Sequence, residues 1–573
     1  MKRGIFPPFL IFWALLLAGC GTVSPSTATS SAGIPTATAS TTAAPTTNPT
    51  ATPTPPPTSA PGPQPDLSLS AGGILIYPVA PVYGGERVTF EVLAHVPDLI
   101  APRDVGVSIF VNEQLVVQDR LNGSNLGGDG VGLFPWVWTA PDVAGTYTVT
   151  VTLDPQDVIR VGDEDAGNNQ ATHFLQVATT TEMPASVANA AWIVRENNCC
   201  RVHVVSGTAA ERDLNDLLTL TDEAVAQAAS RLEEQPNNRL NVYLVDRVIG
   251  QGGYSAGPTL VVSYLDRDYA GTGLREVLVH EAVHAIDSQF APKRITFLAE
   301  GVAVWATGGH YKTEPLDERT AALVELDRYV PLAQLINDFY PHQHEIGYLE
   351  AAGFISYLVN QYGWPDVRAF YASVSADIAP TQADAVDMQL QAHFGTTLAQ
   401  LEVEWLAYLG RLRPQREIVT DLATTIRYFD TMRRYQSVYD PTAYFLTAWL
   451  PAPQQAEERG ITADLTRHPE EEVNVTLETM LGAADEALRA GNYNRANVIL
   501  DSVERVLDYN GDFLDPLANN YRNIVRTLHA RGYTAQQIDL RGSRAIVQAS
   551  LQDTIHLRQI LLTLNNSVWS FAQ

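Results

Sequence analysis

The sequence predicts a multidomain chain in which a β-sandwich is followed by an α+β domain and then an all-α C-terminal region. Three observations predict it. The 573 residues exceed what one hydrophobic core organises. Between Asp66 and Val177, short runs such as "RVTFEVLAHV", "VGVSIFVN" and "GTYTVTVTLD" alternate apolar with polar residues and break at Gly, Pro and Asn. From Thr181 onward the apolar spacing turns helical, as in "AAERDLNDLLTLTDEAVAQAASRLEE". Two strand-like runs, "RLNVYLVD" and "TLVVSYL", precede the remaining helices.

At the N-terminus, Lys2 and Arg3 precede an apolar run from Phe9 to Leu17. The run is too short to span a membrane as a mature helix and has the length of a signal-peptide core. It ends in Leu17-Ala18-Gly19-Cys20, which resembles the bacterial lipobox. The resemblance implies that residues 1–19 are removed, that Cys20 carries lipid, and that the protein is a lipoprotein of the cell envelope, held to the membrane on its extracytoplasmic face. Residues 20–65 read as a disordered tether. Gly21 to Pro65 holds no charge and is mostly Ser, Thr, Ala and Pro, so it cannot bury enough apolar surface to offset its ordering entropy. At ~3 Å per residue its prolines extend it to a reach on the order of 100 Å.

Residues 66–178 supply the sandwich. The "PDLSL" opening, Gly145-Thr146-Tyr147 and "LDPQDVIRVGDEDAGNN" resemble the bacterial cell-adhesion-related Ig-like domain, which implies a spacer or an accessory binder. Asp163-Glu164-Asp165 reads as a solvated turn in preference to a calcium loop. Cys199 and Cys200 stand side by side, and both a vicinal disulfide and two small thiols fit that pattern. A formal charge of -27 repels nucleic acid and anionic membrane surfaces.

Residues 181–413 carry the chemistry. "LREVLVHEAVHAIDSQF" places His280 and His284 four apart, hence on one face of a helix where both imidazoles can reach one metal. Glu281 sits beside that face, placed to take a proton from an attacking water. The bare pentamer arises by chance in roughly one chain in 70 of this length and needs support. Support comes from the apolar Leu274, Val277, Leu278 and Ile286, which can pack while the histidines face a cleft. It comes also from Glu300 in "ITFLAEGVAVWATGG", sixteen residues past His284, which a second helix can fold back to complete a His-His-Glu set with one open position. "GQGGYSAGP" reads as a loop, and "VVSY" as a strand edge able to pair with an extended peptide.

His280-Glu281-x-x-His284 followed by Phe297-Leu298-Ala299-Glu300-Gly301-x-Ala303 resembles the gluzincin-type metallopeptidases of the thermolysin-like clan. "GYLEAAGFISYLVNQYG" resembles the helix that follows their site. The resemblance implies a zincin-like metallopeptidase domain, Zn2+ held by His280, His284 and Glu300, Glu281 as general base, and Tyr348 steadying the oxyanion. Two departures stand out: Val304 occupies the place of a second acidic residue, and no aminopeptidase-type GxMEN motif is present. Asp287, near His284, is a candidate to support it or else a surface acid. His310, His342 and His344 are not read as ligands.

Residues 414–573 read as helical. "LGAADEALRAGNYNRANVILDSVERVL" resembles one tetratricopeptide-like unit through Ala487, Gly491, Tyr493 and Ala496. The expected function is that of a membrane-anchored zinc metallopeptidase, with an endopeptidase preferred, acting on a peptide or protein substrate through a zinc-activated water. The alternative is a surface lipoprotein that binds partners through its sandwich and helices and uses the metal only to hold its middle domain together.

Overall fold

The computed structural model describes residues 66–123, 130–342, 344–444, 446, 453–551 and 554–572. The leader, Cys20 and the tether lie outside them. Among the described residues no helix is long and apolar enough to cross a membrane.

Two sheets form the sandwich. One orders its strands Ile74–Ile76, Arg87–His95, Val131–Thr139 and Asn122–Gly123; the other runs Val82–Tyr83, Gln170–Ala178, Gly145–Leu153, Gly106–Val111 and Gln114–Arg120. Period-two alternation explains the burial. In Gly145–Leu153, Val149, Val151 and Leu153 point inward while Thr148, Thr150 and Thr152 lie nearer solvent. The inward residues meet Val88, Phe90, Val92 and Leu175 in one core.

The α+β region is built on a mixed five-stranded sheet ordered Trp192–Glu196, Cys200–Val205, Leu240–Val245, Thr259–Ser263 and Gly253–Ala256. One face, with Val202, Val204, Val242, Leu244, Leu260 and Val262, packs on the helices Leu214–Leu232 and Leu274–Asp287. The opposite face, with Tyr243, Val245 and Val261, is covered by Ala456, Ile461 and Leu465 and by Tyr77 of the sandwich. Cys199 and Cys200 are joined as a disulfide.

Two readings of the sequence change here. "TLVVSYL" contributes an interior strand, Thr259–Ser263, paired on both sides. The sheet edge comes from the Gly-rich run read as a loop: among the described residues, Gly253–Ala256 pairs with Thr259–Ser263 on one side only. The glycines hid this strand, yet they are what the packing demands. A Cβ on Gly252, whose φ is +120°, would lie 2.9 Å from Val277, and one on Gly253 would meet the Val261 carbonyl at 2.8 Å.

The C-terminal region is helical through Arg416–Tyr439, the pair Glu472–Arg489 and Tyr493–Asp508, and Pro516–His529. It is not all-α. Residues Tyr533–Arg541, Arg544–Leu551, Leu557–Asn565 and Val568–Phe571 form a four-stranded antiparallel meander. Its polar Gln and Arg residues mask the alternation, and only one face (Ala545, Val547, Ala549, Leu562) is buried. This core continues through Met480 and Leu481 to Phe429 and Met432, and on to Tyr269 and Tyr311 of the α+β region.

Candidate metal centre

The HEAVH motif lies on the helix Leu274–Asp287, whose Val277, Leu278 and Ile286 are buried against the sheet. The second helix, Thr296–Thr307, begins after a short turn and is buried nearly along its whole length. Gly301 explains how it fits: a Cβ there would stand 2.8 Å from the carbonyl oxygen of Ala351, on the helix His344–Tyr362. Seated so closely, the second helix brings Glu300 beside both histidines.

Nε2 of His280 lies 3.0 Å from Oε2 of Glu300, Nε2 of His284 lies 3.2 Å from that same oxygen, and the two Nε2 atoms are 3.1 Å apart. Tetrahedral zinc, with bonds of about 2.0–2.2 Å to nitrogen and oxygen, sets its donors roughly 3.3 Å apart. The triangle therefore fits one such ion, and its donor types are those zinc accepts. The Glu300 carboxyl is pushed up by burial, but the His284 and His280 charges and hydrogen bonds outweigh this and hold it well below the usual range. Burial alone would lower the His284 imidazole, and the Glu300 charge and hydrogen bond push it instead to about 9.

Glu281 is buried one residue from His280. Burial raises its carboxyl above the ordinary value, against the His280 and His284 charges and a hydrogen bond from Ser255 on the edge strand. The general-base candidate thus lies between the ligands and the strand that could receive a peptide. Tyr348 is on the helix His344–Tyr362, its ring centroid 6.0 Å from that of His280 and 4.8 Å from that of His310. Its phenol is pushed well up, first by burial and then by the Glu300, Tyr340 and Glu281 charges. Tyr348 therefore borders the same space as the ligands.

Asp287 is fully buried, not a surface acid. It accepts a 2.7 Å hydrogen bond from the Tyr371 hydroxyl and pairs with Arg294 at 3.1 Å. Arg294 also donates to the His284 carbonyl at 3.2 Å, so Asp287 anchors the end of the helix that carries His280 and His284. One participant was missed from sequence. Tyr340 donates to Oε1 of Glu300 at 3.3 Å, leaving Oε2 toward the histidines. It lies in the irregular run after Thr313, which offered no periodicity to place it. His310 is buried, bonded to Glu345 at 2.8 Å, and belongs to an ionic network away from the ligand triangle. Val304 is buried in the core.

No protein-family model matches the chain, and no curated protein matches it. Solved structures similar to it include the CARDB domain of a Pyrococcus furiosus protein in complex with di-metal ions, 21% identical over 21% of this chain and 95% of that one, with a TM-score of 0.17. An M1 zinc metallopeptidase from Deinococcus radiodurans is 12% identical over 61% of this chain and 94% of its own, with a TM-score of 0.26. An aminopeptidase N family protein from Idiomarina loihiensis is 10% identical over 60% of this chain and 70% of its own, with a TM-score of 0.21. These likenesses are remote, and the chemistry of the site rests on its own geometry.

Proposed function

We propose that this chain is a zinc-dependent metallopeptidase, held by a lipid on Cys20 to the extracytoplasmic face of a membrane and spaced from it by residues 20–65. The observation that carries the peptidase reading is the triangle of His280 Nε2, His284 Nε2 and Glu300 Oε2, with Glu281 beside it and hydrogen-bonded by Ser255 of the outer strand of the sheet. Bound there, zinc would supply a Lewis acid that acidifies water and polarises a carbonyl.

The residues of the chain divide the remaining work. Tyr340 holds Oε1 of Glu300 and so fixes the orientation of Oε2. The edge strand Gly253–Ala256 offers backbone groups to an extended peptide. Glu281 accepts the proton of the attacking water, and its raised basicity suits it to pass that proton to the leaving amine. Tyr348 donates a hydrogen bond to the carbonyl oxygen as negative charge grows on it. The absence of a GxMEN motif favours cleavage inside a peptide over removal of its first residue. A Glu281→Gln variant tests the reading. It should keep its zinc and lose most peptide hydrolysis, whereas undiminished hydrolysis would remove Glu281 from the reaction.

A further inference from the structure

The sandwich holds a second cluster of oxygen atoms, in the loop between the strands Gly145–Leu153 and Gln170–Ala178. The described chain begins at Asp66, and the Asp66 carboxylate pins that loop. Its Oδ1 accepts from the backbone N–H of Glu164 at 2.6 Å and of Asp165 at 3.2 Å, and its Oδ2 accepts from Nδ2 of Asn168 at 2.7 Å. Oδ2 of Asp163 in turn accepts from Nδ2 of Asn169 at 2.8 Å. The backbone closes the same junction: the Leu67 N–H donates to the Gly162 carbonyl at 2.8 Å and the Leu69 N–H to the Asn168 carbonyl at 3.0 Å.

What these bonds leave over points to a ligand. Oδ1 of Asp163, Oδ1 of Asn168 and Oδ1 of Asn169 are all buried, and among the described residues none of the three has a hydrogen-bond donor. Asn169 is only 4% exposed, so bulk solvent does not serve it. Its orientation is fixed as well: an ionised carboxylate only accepts, so Nδ2 must face Asp163 and Oδ1 is the end left unmet. Acceptors buried without donors are rare and costly in folded proteins. Charge points the same way. Burial raises the Asp163 carboxyl, and the Asp66, Asp154 and Asp157 charges add to that against the Asn169 hydrogen bond. Arg160 pairs with Asp157 at 2.5 Å, both exposed, and gives no hydrogen bond to Oδ1 of Asp163. A water molecule would supply donors but no positive charge, whereas a cation answers both needs.

We propose that Asp163, Asn168 and Asn169 bind one calcium ion through their Oδ1 atoms, with Asp66 holding the loop in place. Carboxylate and amide oxygens are the donors that calcium prefers, and water or backbone carbonyls complete its shell of about 6–8 oxygens. Glu164 and Asp165 stay exposed and are not among the ligands. The ion would lock the first residues of the sandwich onto the loop, and so stiffen the joint at which residues 20–65 meet the folded chain. The run read from the sequence as a solvated turn thus becomes a calcium loop.

This site shares no residue with the metal centre, and its test needs no peptidase activity. The full chain in detergent, loaded with zinc and moved into calcium-free buffer, is titrated with calcium chloride by isothermal calorimetry. About one calcium per chain should bind, with a Kd on the order of 10⁻⁵ to 10⁻³ M. Asp163→Asn keeps the shape and removes the charge, and should weaken binding by about 10-fold or more. Asn168→Ala leaves the buried Asn169 in place and should weaken binding too. Hydrogen exchange on the wild type requires no variant: calcium should slow the amides of residues 163–169 and those of Leu67 and Leu69. Should a variant fail to fold, that exchange map decides alone. No binding at calcium up to about 10 mM overturns the proposal. Binding unchanged in both variants, or slowed exchange only elsewhere in the chain, overturns it as well and assigns the ion to another site.

Discussion

Glu300 and Glu345 are both buried glutamates beside histidines, yet their surroundings differ in kind. Glu345 is satisfied by the protein: Arg319 donates to Oε1 at 2.9 Å and His310 to Oε2 at 2.8 Å. Arg319 also pairs with Glu314 at 2.7 Å and with Asp421, to which Lys312 adds a contact at 2.7 Å. Glu300 instead shares one oxygen with two imidazole nitrogens that stand equally close to each other. Opposite charges interleave in the first cluster, whereas electron-pair donors converge on one point in the second. Burial of charge is therefore no sign of a ligand site by itself; convergence of donors is.

The sharpest way to break the comparison is catalytic. Glu281→Gln should lower peptide turnover by ~10² or more at full zinc content. Arg319→Met should take the arginine from Glu314, leave Glu345 and Asp421 with His310 and Lys312 alone, and destabilise the fold by about 3–5 kcal/mol, read from denaturant unfolding. A variant as stable as the wild type would mean that the network is not the structural counterpart described here. Tyr348→Phe should cost roughly 10²-fold in kcat while KM and zinc content hold. An unchanged kcat would return Tyr348 to the packing core.

The smallest expected effect lies far from the site, at the junction of sandwich and sheet. Asp464 accepts hydrogen bonds from the backbone and hydroxyl of Thr89, at 3.1 and 2.5 Å. Burial nevertheless raises its carboxyl to about 6, against those bonds. A folded value above the unfolded one favours the protonated form. The contribution of this group to stability is thus complete below its unfolded pKa and is lost as pH rises through about 6. Asp464→Asn should flatten the decline in stability between roughly pH 4 and 6. An identical pH slope in both proteins would show that Asp464 does not titrate there.

The grouping of His280, His284 and Glu300 was legible because helical spacing is local. Two histidines at i and i+4 share a face whatever the rest of the chain does, and Glu300 needed only one turn to return beside them. The edge strand was not legible, since Gly252 and Gly253 read as loop formers although close packing against Val277 is what selects them. Tyr340 reaches the site through tertiary packing, which leaves no period in the sequence. The closing meander was hidden by its half-exposed faces, where Gln548 and Gln559 sit opposite each other in register. The type of the α+β layout was visible in the strand and helix patterns, but the order of its strands was not.

The central claim is that His280, His284 and Glu300 hold one zinc ion for chemistry and not for folding. The most direct test is elemental analysis of the full chain beside His280→Ala, after zinc-supplemented purification and with folding followed by circular dichroism. The account predicts about one zinc per wild-type chain and little or none in a variant that remains folded. No zinc in the wild type, or zinc retained by the variant, would contradict it, and a variant that unfolds as the metal is lost would mark the site as structural.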